Sequence, residues 1–269
     1  MVSRELISLD SLNTPGSRYV VRLAKTPRDL QEAKALDDAV LGAHLGISME
    51  ELEEIHSQSG VILLHSRQGE LVGESQVITS PITQHQELAP DEAYNYGTAL
   101  RPEYQGKGAA QTLFAAQEYV ARESGKQRAT LTVRLENGLS IRGRMKAGYS
   151  IVSYNPQAYE GENGARFIME KRLDDAKTVF DPALLASLLS QGDIVMTDPK
   201  QLPEHIQRQR SLAVPVHIGD KIDVVAHSMM GTIFEHQYVG AGLLRPSEWG
   251  GKEPDVSLLI FTKPQTPIQ

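Results

Sequence analysis

The stretch Gln105-Gly106-Lys107-Gly108-Ala109-Ala110 places two glycines, a lysine and two alanines immediately before an apolar pattern with helical spacing. Small residues allow consecutive backbone N–H groups to approach a ligand closely, and the beginning of a helix favours negative charge. Lys107 would add a positive charge beside them. This combination predicts a backbone cradle for a phosphate or pyrophosphate group.

The spacing of this stretch does not fit two well-known phosphate loops. A dinucleotide fingerprint requires a glycine or alanine where Gln111 stands. A nucleoside-triphosphate loop requires Ser or Thr directly after the Gly-Lys pair, where Gly108 stands. A turn from strand to helix that binds no ligand is the structural alternative.

A second block follows the predicted strand at 129–135, with Asn137-Gly138-Leu139-Ser140-Ile141 and then Lys146-Ala147-Gly148-Tyr149. Together the two blocks resemble the GNAT superfamily of N-acyltransferases. Gln105, Gly108 and Ala110 match its Gln/Arg-x-x-Gly-x-Gly/Ala signature, and the second block is similar to its Asn-x-x-Ala-Ile … Gly-Phe/Tyr block. The resemblance covers about residues 18–173.

This resemblance implies that the pyrophosphate belongs to acetyl-CoA or another acyl-CoA, used as a cosubstrate. It also implies transfer of the acyl group, most plainly acetyl, to a primary amine of a small molecule or peptide. A backbone N–H aimed at the acyl carbonyl would be the natural oxyanion donor. The predicted coenzyme-binding residues are Ala99, Leu100, Gln105, Gly106, Lys107, Gly108, Ala109, Ala110 and Asn137.

The proton donor of the family is less clear in this sequence. Many members carry a tyrosine seven residues after the Asn, where this chain has Arg144. An arginine stabilises a thiolate by its charge but does not donate a proton near neutral pH. Arg144 as a solvated helix residue is the competing interpretation, and Tyr149, Tyr104 or water are alternative donors.

Candidates for a base lie on and near the predicted strand at 94–100, where Tyr96 and the preceding Glu92 are expected. Core packing of the tyrosine is the alternative interpretation. Four histidines occur in the N-terminal half, where the resemblance places the acceptor pocket: His44, His56, His65 and His85. A given histidine is more often structural or solvated than catalytic.

Charge and cysteine content exclude several other classes. The 269-residue chain has a net charge of −7 and no long block of charges of one sign, which argues against nucleic acid as the principal ligand, because binding to phosphates needs a concentrated basic face. It has no cysteine, so thiolate catalysis and disulfides are excluded and the cytoplasm is favoured. No metal site is predicted, because His217, His227 and His236 lack ligand spacing. No apolar run reaches the ~20 residues of a membrane helix, and the N-terminus does not read as a signal peptide.

Four segments are expected from the alternation of apolar patterns and turn residues. These are a flexible arm (1–17), an α/β domain with a GNAT-like mixed central sheet flanked by helices (18–173), a linker and helix (174–192) and a small β-rich domain (193–269). Short β-like runs at 194–197, 214–218, 221–226, 232–239 and 256–262 suggest an SH3-like barrel in the last segment. Such appended domains commonly cover a cleft or form a homodimer.

A second function remains open at this point. The arginine at the usual tyrosine position is compatible with a non-catalytic acyl-CoA-binding sensor that acts through its C-terminal domain. The coenzyme cradle would serve either protein equally well.

Overall fold

The computed structural model describes residues 7–42, 46–159, 164–174, 180–219 and 221–264. The chain divides into two compact units, Met1–Leu131 with Arg172–Asp175 and Thr132–Lys171 with Ala176–Gln269. His44, part of the predicted arm and part of the predicted linker lie outside the described residues. The domain boundary predicted near Leu173 stays a prediction. No helix in the described ranges combines the length and hydropathy needed to cross a membrane.

The first unit contains a mixed sheet of five strands. Neighbouring strands from β1 to β4 are antiparallel, and β5, which begins in this unit, runs parallel to β4. The strands are β1 Tyr19–Leu23, β2 Val61–Ser66, β3 Leu71–Ile78, β4 Glu92–Leu100 and β5 Arg128–Val133. The register of β3 with β4 shifts between two neighbouring pairs, Gln76 with Gly97 and Val77 with Asn95. Tyr96 is the additional residue on β4 at this shift, and it forms a β-bulge.

Three α-helices complete this unit, namely α1 Pro27–Leu41, α2 Met49–Ser57 and α3 Ala109–Glu123, with 3-10 turns at Asp10–Leu12 and Pro102–Tyr104. Thr26 and Ser48 are the N-caps of α1 and α2, and both helices begin with a capping box. The apolar faces of these two helices pack on β2 and β3 around Leu30, Leu52 and Leu63. The sheet and helix series predicted for this region is confirmed.

The second unit contains α4 Gly138–Lys146 and a second run of strands in the order β7-β6-β10-β11-β9-β8. The strands are β6 Ser150–Asn155, β7 Arg166–Arg172, β8 Val195–Met196, β9 Ser211–His217, β10 Val239–Leu244 and β11 Val256–Thr262. They pair antiparallel except for β8 with β9. The remaining helices are α5 Pro182–Gln191, α6 Leu202–Arg208, α7 Val224–Glu235 and α8 Pro246–Trp249.

The C-terminal region differs from its prediction. The strands predicted at 221–226 and 232–239 are wrong, because α7 occupies most of this stretch. The Asp223 side chain caps the helix by accepting a hydrogen bond from the Ala226 N–H (2.9 Å). The described strands of this region also pair with β6 in one sheet, whereas an SH3-like barrel would close on itself.

Candidate active site

The predicted phosphate loop lies in the first unit, between the 3-10 turn at Pro102–Tyr104 and the beginning of α3. Gly106 and Gly108 have φ values of 71° and 87°, and Gly108 is the N-cap of α3. Both glycines are exposed, and an added Cβ would meet nothing within 4 Å at either position. The left-handed backbone therefore accounts for the glycines. The open space in front of α3 leaves room for an anionic group at the helix N-terminus.

Side chains fix this loop to the end of β4. Gln105 Nε2 donates a hydrogen bond to the Leu100 carbonyl (3.3 Å), so the predicted ligand Gln105 serves at least as a loop anchor. Glu70 on the neighbouring turn accepts a hydrogen bond from the Tyr104 hydroxyl (2.8 Å) and pairs with Arg101 (3.1 Å). These bonds hold the chain that leads into Gly106.

The end of β4 presents one backbone edge away from β3. Arg101 N–H donates to the Val72 carbonyl (3.0 Å), which makes these two residues a hydrogen-bonded pair. Hydrogen-bonded and non-hydrogen-bonded pairs alternate along antiparallel strands. Leu100, which faces Gly73 in the register, is therefore in a non-hydrogen-bonded pair, and its N–H points away from β3. The pairing of β4 with β5 covers Glu92–Tyr94 at the other end of the strand.

The predicted catalytic residue Tyr96 contacts α2. Its hydroxyl donates a hydrogen bond to Glu51 Oε1 (2.8 Å), and Glu51 Oε2 accepts from the N–H (2.9 Å) and hydroxyl (2.7 Å) of Ser48. Burial raises the pKa of Glu51, but the hydrogen bonds from Ser48 and Tyr96 outweigh it, and the resulting pKa lies below its usual value. Glu51 is therefore a carboxylate at neutral pH.

Two further aromatic rings lie beside this pair. The ring of His85 is 4.5 Å from that of Tyr94 and 5.2 Å from that of Tyr96, measured between centroids. Burial lowers the pKa of His85, although the nearby charge of Glu51 partly opposes this shift. A neutral imidazole can accept a proton. The group of Glu51, Tyr96 and His85 therefore contains a negative charge on Glu51 and a base at His85.

A short turn places His85 in this group. Backbone hydrogen bonds join Ile82 and His85 in both directions (3.2 and 3.0 Å), and Glu54 on α2 accepts from the Thr83 N–H (2.8 Å). The sequence pointed to His85 as one of four histidines, but it did not point to Glu51 as a site residue. The contact that brings Glu51 into the site depends on the tertiary fold, because the Tyr96 hydroxyl reaches α2 from the bulge in β4.

Glu92, the other predicted base, lies elsewhere. It forms an ion pair with Arg128 (2.9 Å) and accepts a hydrogen bond from the Thr130 hydroxyl. Leu100 lies eight positions further along β4, a distance of about 26 Å at ~3.3 Å per residue. The structure does not bring Glu92 to the coenzyme loop.

The remaining predicted residues lie in the second unit. Arg144 is buried, with 4% of its surface exposed, and its guanidinium lies 5.4 Å from the ring of Tyr149, which is itself buried. The interpretation of Arg144 as a solvated helix residue is therefore wrong. Asn137 is exposed, and its side-chain oxygen caps α4 by accepting from the Ser140 N–H (3.1 Å).

The C-terminal histidines have partners other than a metal. His227 bonds Glu136 and Tyr154 (2.6 Å each), His217 bonds Asp223 (3.1 Å), and His236 bonds the carbonyl of its own helix at Thr232 (2.9 Å). Within the described part of the chain, no group of three or more His, Asp or Glu side chains is arranged to hold a metal ion.

Comparison with known proteins agrees with the loop and the strand series. Residues 31–148 match the family model of the acetyltransferase (GNAT) family. No curated protein matches the sequence significantly.

Several solved structures are similar over more than half of the chain. Ard1 from Thermoplasma volcanium has 17% identity and a TM-score of 0.48, over 59% of this chain and all of its own. The ribosomal-protein-S18-alanine N-acetyltransferase from Escherichia coli has 18% identity and a TM-score of 0.45, over 59% of this chain and 96% of its own. The structure of yncA from Salmonella typhimurium, solved with acetyl-CoA, has 18% identity and a TM-score of 0.47, over 60% of this chain and 98% of its own. The family match, the glycine loop and the strand order together identify residues 31–148 as a domain of the GNAT acetyltransferase family.

Proposed function

We propose that this protein is an N-acetyltransferase that moves an acetyl group from acetyl-CoA to a primary amine of a small molecule or peptide. The observation that carries the proposal is the loop Gly106–Ala110, whose left-handed glycines open the N-terminus of α3 to an anion. The family match over the same residues supports it. A cytoplasmic location, favoured by the absence of cysteine, and a homodimer are further parts of the proposal.

The chain's own groups suit the coenzyme. The backbone of Gly106 to Ala110, exposed from Gly106 to Gly108, would hold the pyrophosphate, and Lys107 would add charge. The N–H of Leu100, which points away from β3, would orient the acyl carbonyl and stabilise negative charge on its oxygen. Acetyl-CoA supplies the acetyl group as an activated thioester.

For the acceptor side, we assign Glu51, Tyr96 and His85. The Glu51 carboxylate would attract an ammonium group, and the neutral His85 would accept its proton so that the amine becomes nucleophilic. Tyr96, bonded to Glu51, would hold that carboxylate in place. Arg144 and Tyr149 stay predictions for stabilising or protonating the thiolate.

Thiol release from acetyl-CoA tests this function. The purified protein is incubated with acetyl-CoA and a panel of primary amines that includes polyamines, aminoglycosides and peptides with free N-termini or lysines. We expect amine-dependent thiol release for at least one class, with the acetylated amine identified by mass spectrometry. Tight binding of acetyl-CoA without turnover on any amine would contradict the enzyme and favour a coenzyme sensor.

A further inference from the structure

A group of polar side chains is buried in the first unit, between β3 and α1. Glu74 and Gln76 on β3 are 0% and 1% exposed, and Asp37 on α1 is 2% exposed. Gln76 Nε2 donates a hydrogen bond to Glu74 Oε2. Gln76 Oε1 has no hydrogen-bond partner among the described residues. A buried acceptor without a donor is costly, so this oxygen is a candidate for contact with a ligand.

Two carboxyl groups share one proton beside this amide. Burial, and then the charge of Asp37, raise the pKa of Glu74 well above its usual value, so Glu74 is a neutral acid near pH 7. Burial also raises the pKa of Asp37. The Ile47 N–H, which donates to Asp37 Oδ2 (2.7 Å), and the bond with Glu74 both oppose that rise. Glu74 is therefore the donor to Asp37, and its other oxygen accepts from Gln76.

The unpartnered oxygen of Gln76 lies at the bulge of β4. Gln76 faces Gly97 in the register, and Gly97 follows Tyr96. A Cβ added to Gly97 would overlap with Gln76 Oε1, so only glycine leaves room for the amide at this point. Gly97 itself is half-buried. A hydrogen-bond donor that lies on the backbone of Gly97 is therefore within reach of this oxygen.

The same face of the sheet carries the group assigned above to the acceptor amine. Alternate residues of a strand share a face, so Gln76 lies on the side of Glu74, which is the side of α1. Helices α1 and α2 both pack on this face. From the bulge, the Tyr96 hydroxyl donates to Glu51 on α2 (2.8 Å), and the ring of His85 lies 5.2 Å from that of Tyr96. Gln76 thus borders the proposed amine site from β3.

We propose that Gln76 is a further residue that binds the acceptor amine, through its amide oxygen. This inference rests on the proposed function. An amide oxygen only accepts hydrogen bonds, so it suits an N–H or O–H group of the acceptor amine and not the phosphates of the coenzyme. Glu74 is a positioning residue, because its bond to Nε2 fixes which end of the amide faces Gly97.

Steady-state kinetics of the full chain with acetyl-CoA and an acetylated amine test the inference. The first amines are putrescine, kanamycin and a dipeptide that contains lysine, followed by the rest of the panel above. Gln76→Met keeps the length of the side chain without the amide, and Gln76→Asn withdraws the oxygen by one methylene. Both should raise the KM of the amine about five- to tenfold, which corresponds to one hydrogen bond. The KM of acetyl-CoA should change less than about twofold.

Variants of Glu74 test the positioning role. Glu74→Gln is a neutral isostere of the protonated acid and can still donate to Asp37 and accept from Gln76, so its amine KM should stay near that of the wild type. Glu74→Leu removes the oxygen that orients the amide, and it should raise the amine KM about as much as Gln76→Met does. Equal amine KM values in Glu74→Gln and Glu74→Leu would contradict this role.

Ser75→Ala is the matched control. Ser75 is also 0% exposed, and its hydroxyl lacks a hydrogen-bond partner within the described ranges, but it shares the face of Gly73, which contacts Leu113 on α3. This variant should leave both KM values unchanged, and thermal unfolding checks the fold of every variant.

Three results would overturn the inference. An unchanged amine KM in folded Gln76→Met and Gln76→Asn would overturn it alone. A parallel rise of both KM values with a lower unfolding temperature would also overturn it, because that pattern indicates a structural role. Absence of turnover by the wild type on the whole panel of amines would overturn the proposed function, and the inference with it.

Discussion

At the scale of single residues, Gly108 and Gly125 offer a direct test of the coenzyme loop. They flank α3 and have left-handed φ values of 87° and 74°, and an added Cβ would meet nothing within 4 Å at either. Gly108→Ala and Gly125→Ala should therefore each cost a similar ~1–2 kcal/mol of stability from backbone strain. Only Gly108→Ala should also weaken acetyl-CoA binding, by at least about tenfold, in a calorimetric titration.

Gly125→Ala is the matched control, because α3 separates it from the loop by 15 residues, or about 22 Å of helix. Equal affinities for acetyl-CoA in the two variants would contradict the assignment of the loop. Thermal unfolding of both proteins checks that their stabilities fall alike.

Glu51 gives a prediction about pH. Its pKa in the folded chain lies below the usual 4.5, so its ionised form stabilises the fold above that pH. This contribution is lost as the pH falls through the lowered value. In urea unfolding between pH 6 and 3, the stability of Glu51→Gln should therefore fall less steeply than that of the wild type. Parallel curves would show that the contacts with Ser48 and Tyr96 contribute no net stability.

At the scale of secondary-structure elements, Arg142 joins α4 to α8 inside the second unit. Its side chain is 7% exposed. The guanidinium forms a bidentate ion pair with Glu248 and donates a hydrogen bond to the Leu243 carbonyl. Glu248→Ala leaves a buried charge without its partner and should cost about 3 kcal/mol in urea unfolding.

An exposed pair on α6 provides the control for this measurement. Arg208 and Glu204 are 72% and 63% exposed, so Glu204→Ala should leave the unfolding midpoint nearly unchanged. A similar small effect for Glu248→Ala would mean that Arg142 finds water or another acceptor.

The helices show which sequence signals were sufficient to predict secondary structure. The Thr26-Pro27 pair, the capping pattern of Ser48 with Glu51 and the glycines around α3 are sequence signals for helix ends, and the structure has helices there, because each signal is local to the backbone it controls. At α7 the exposed β-branched Val224 and Val225 favoured a strand. The buried residues of this helix nevertheless follow helical spacing, namely Ala226, Met229, Met230 and Ile233.

The candidate site was predictable only in part, for a physical reason. The proposed coenzyme loop is one continuous stretch in which the backbone would bind the coenzyme, so a motif of glycines is enough to predict it. Glu51 and His85 meet Tyr96 only through the tertiary fold, and the partners of His227 are 91 and 73 positions away in sequence. Spacing along a chain does not contain such contacts.

At the scale of the whole molecule, we expect truncation after Asp175 to destabilise the chain, because residues 132–171 belong to the same compact unit as residues 176–269. Removal of residues 176–269 would remove three contacts of the remaining chain. These are the strand pairing of Ile151 with β10, the hydrogen bond of Tyr154 with His227 and the ion pair of Arg142 with Glu248. We expect the chain ending at Asp175 to unfold at a lower temperature and with a broader transition than the full chain in calorimetry. A sharp transition at the full-length temperature would instead support an independent domain ending near Leu173.

The most direct test of the central claim is amide hydrogen exchange with and without acetyl-CoA. The N–H groups of Gly106 to Ala110 lie in the exposed loop and first turn before the body of α3, where the account places the pyrophosphate. Saturating acetyl-CoA should slow exchange in the peptide that contains these residues, and the Gly108→Ala variant should lose this protection. Acetyl-CoA binding that leaves exchange in this peptide unchanged would contradict the account.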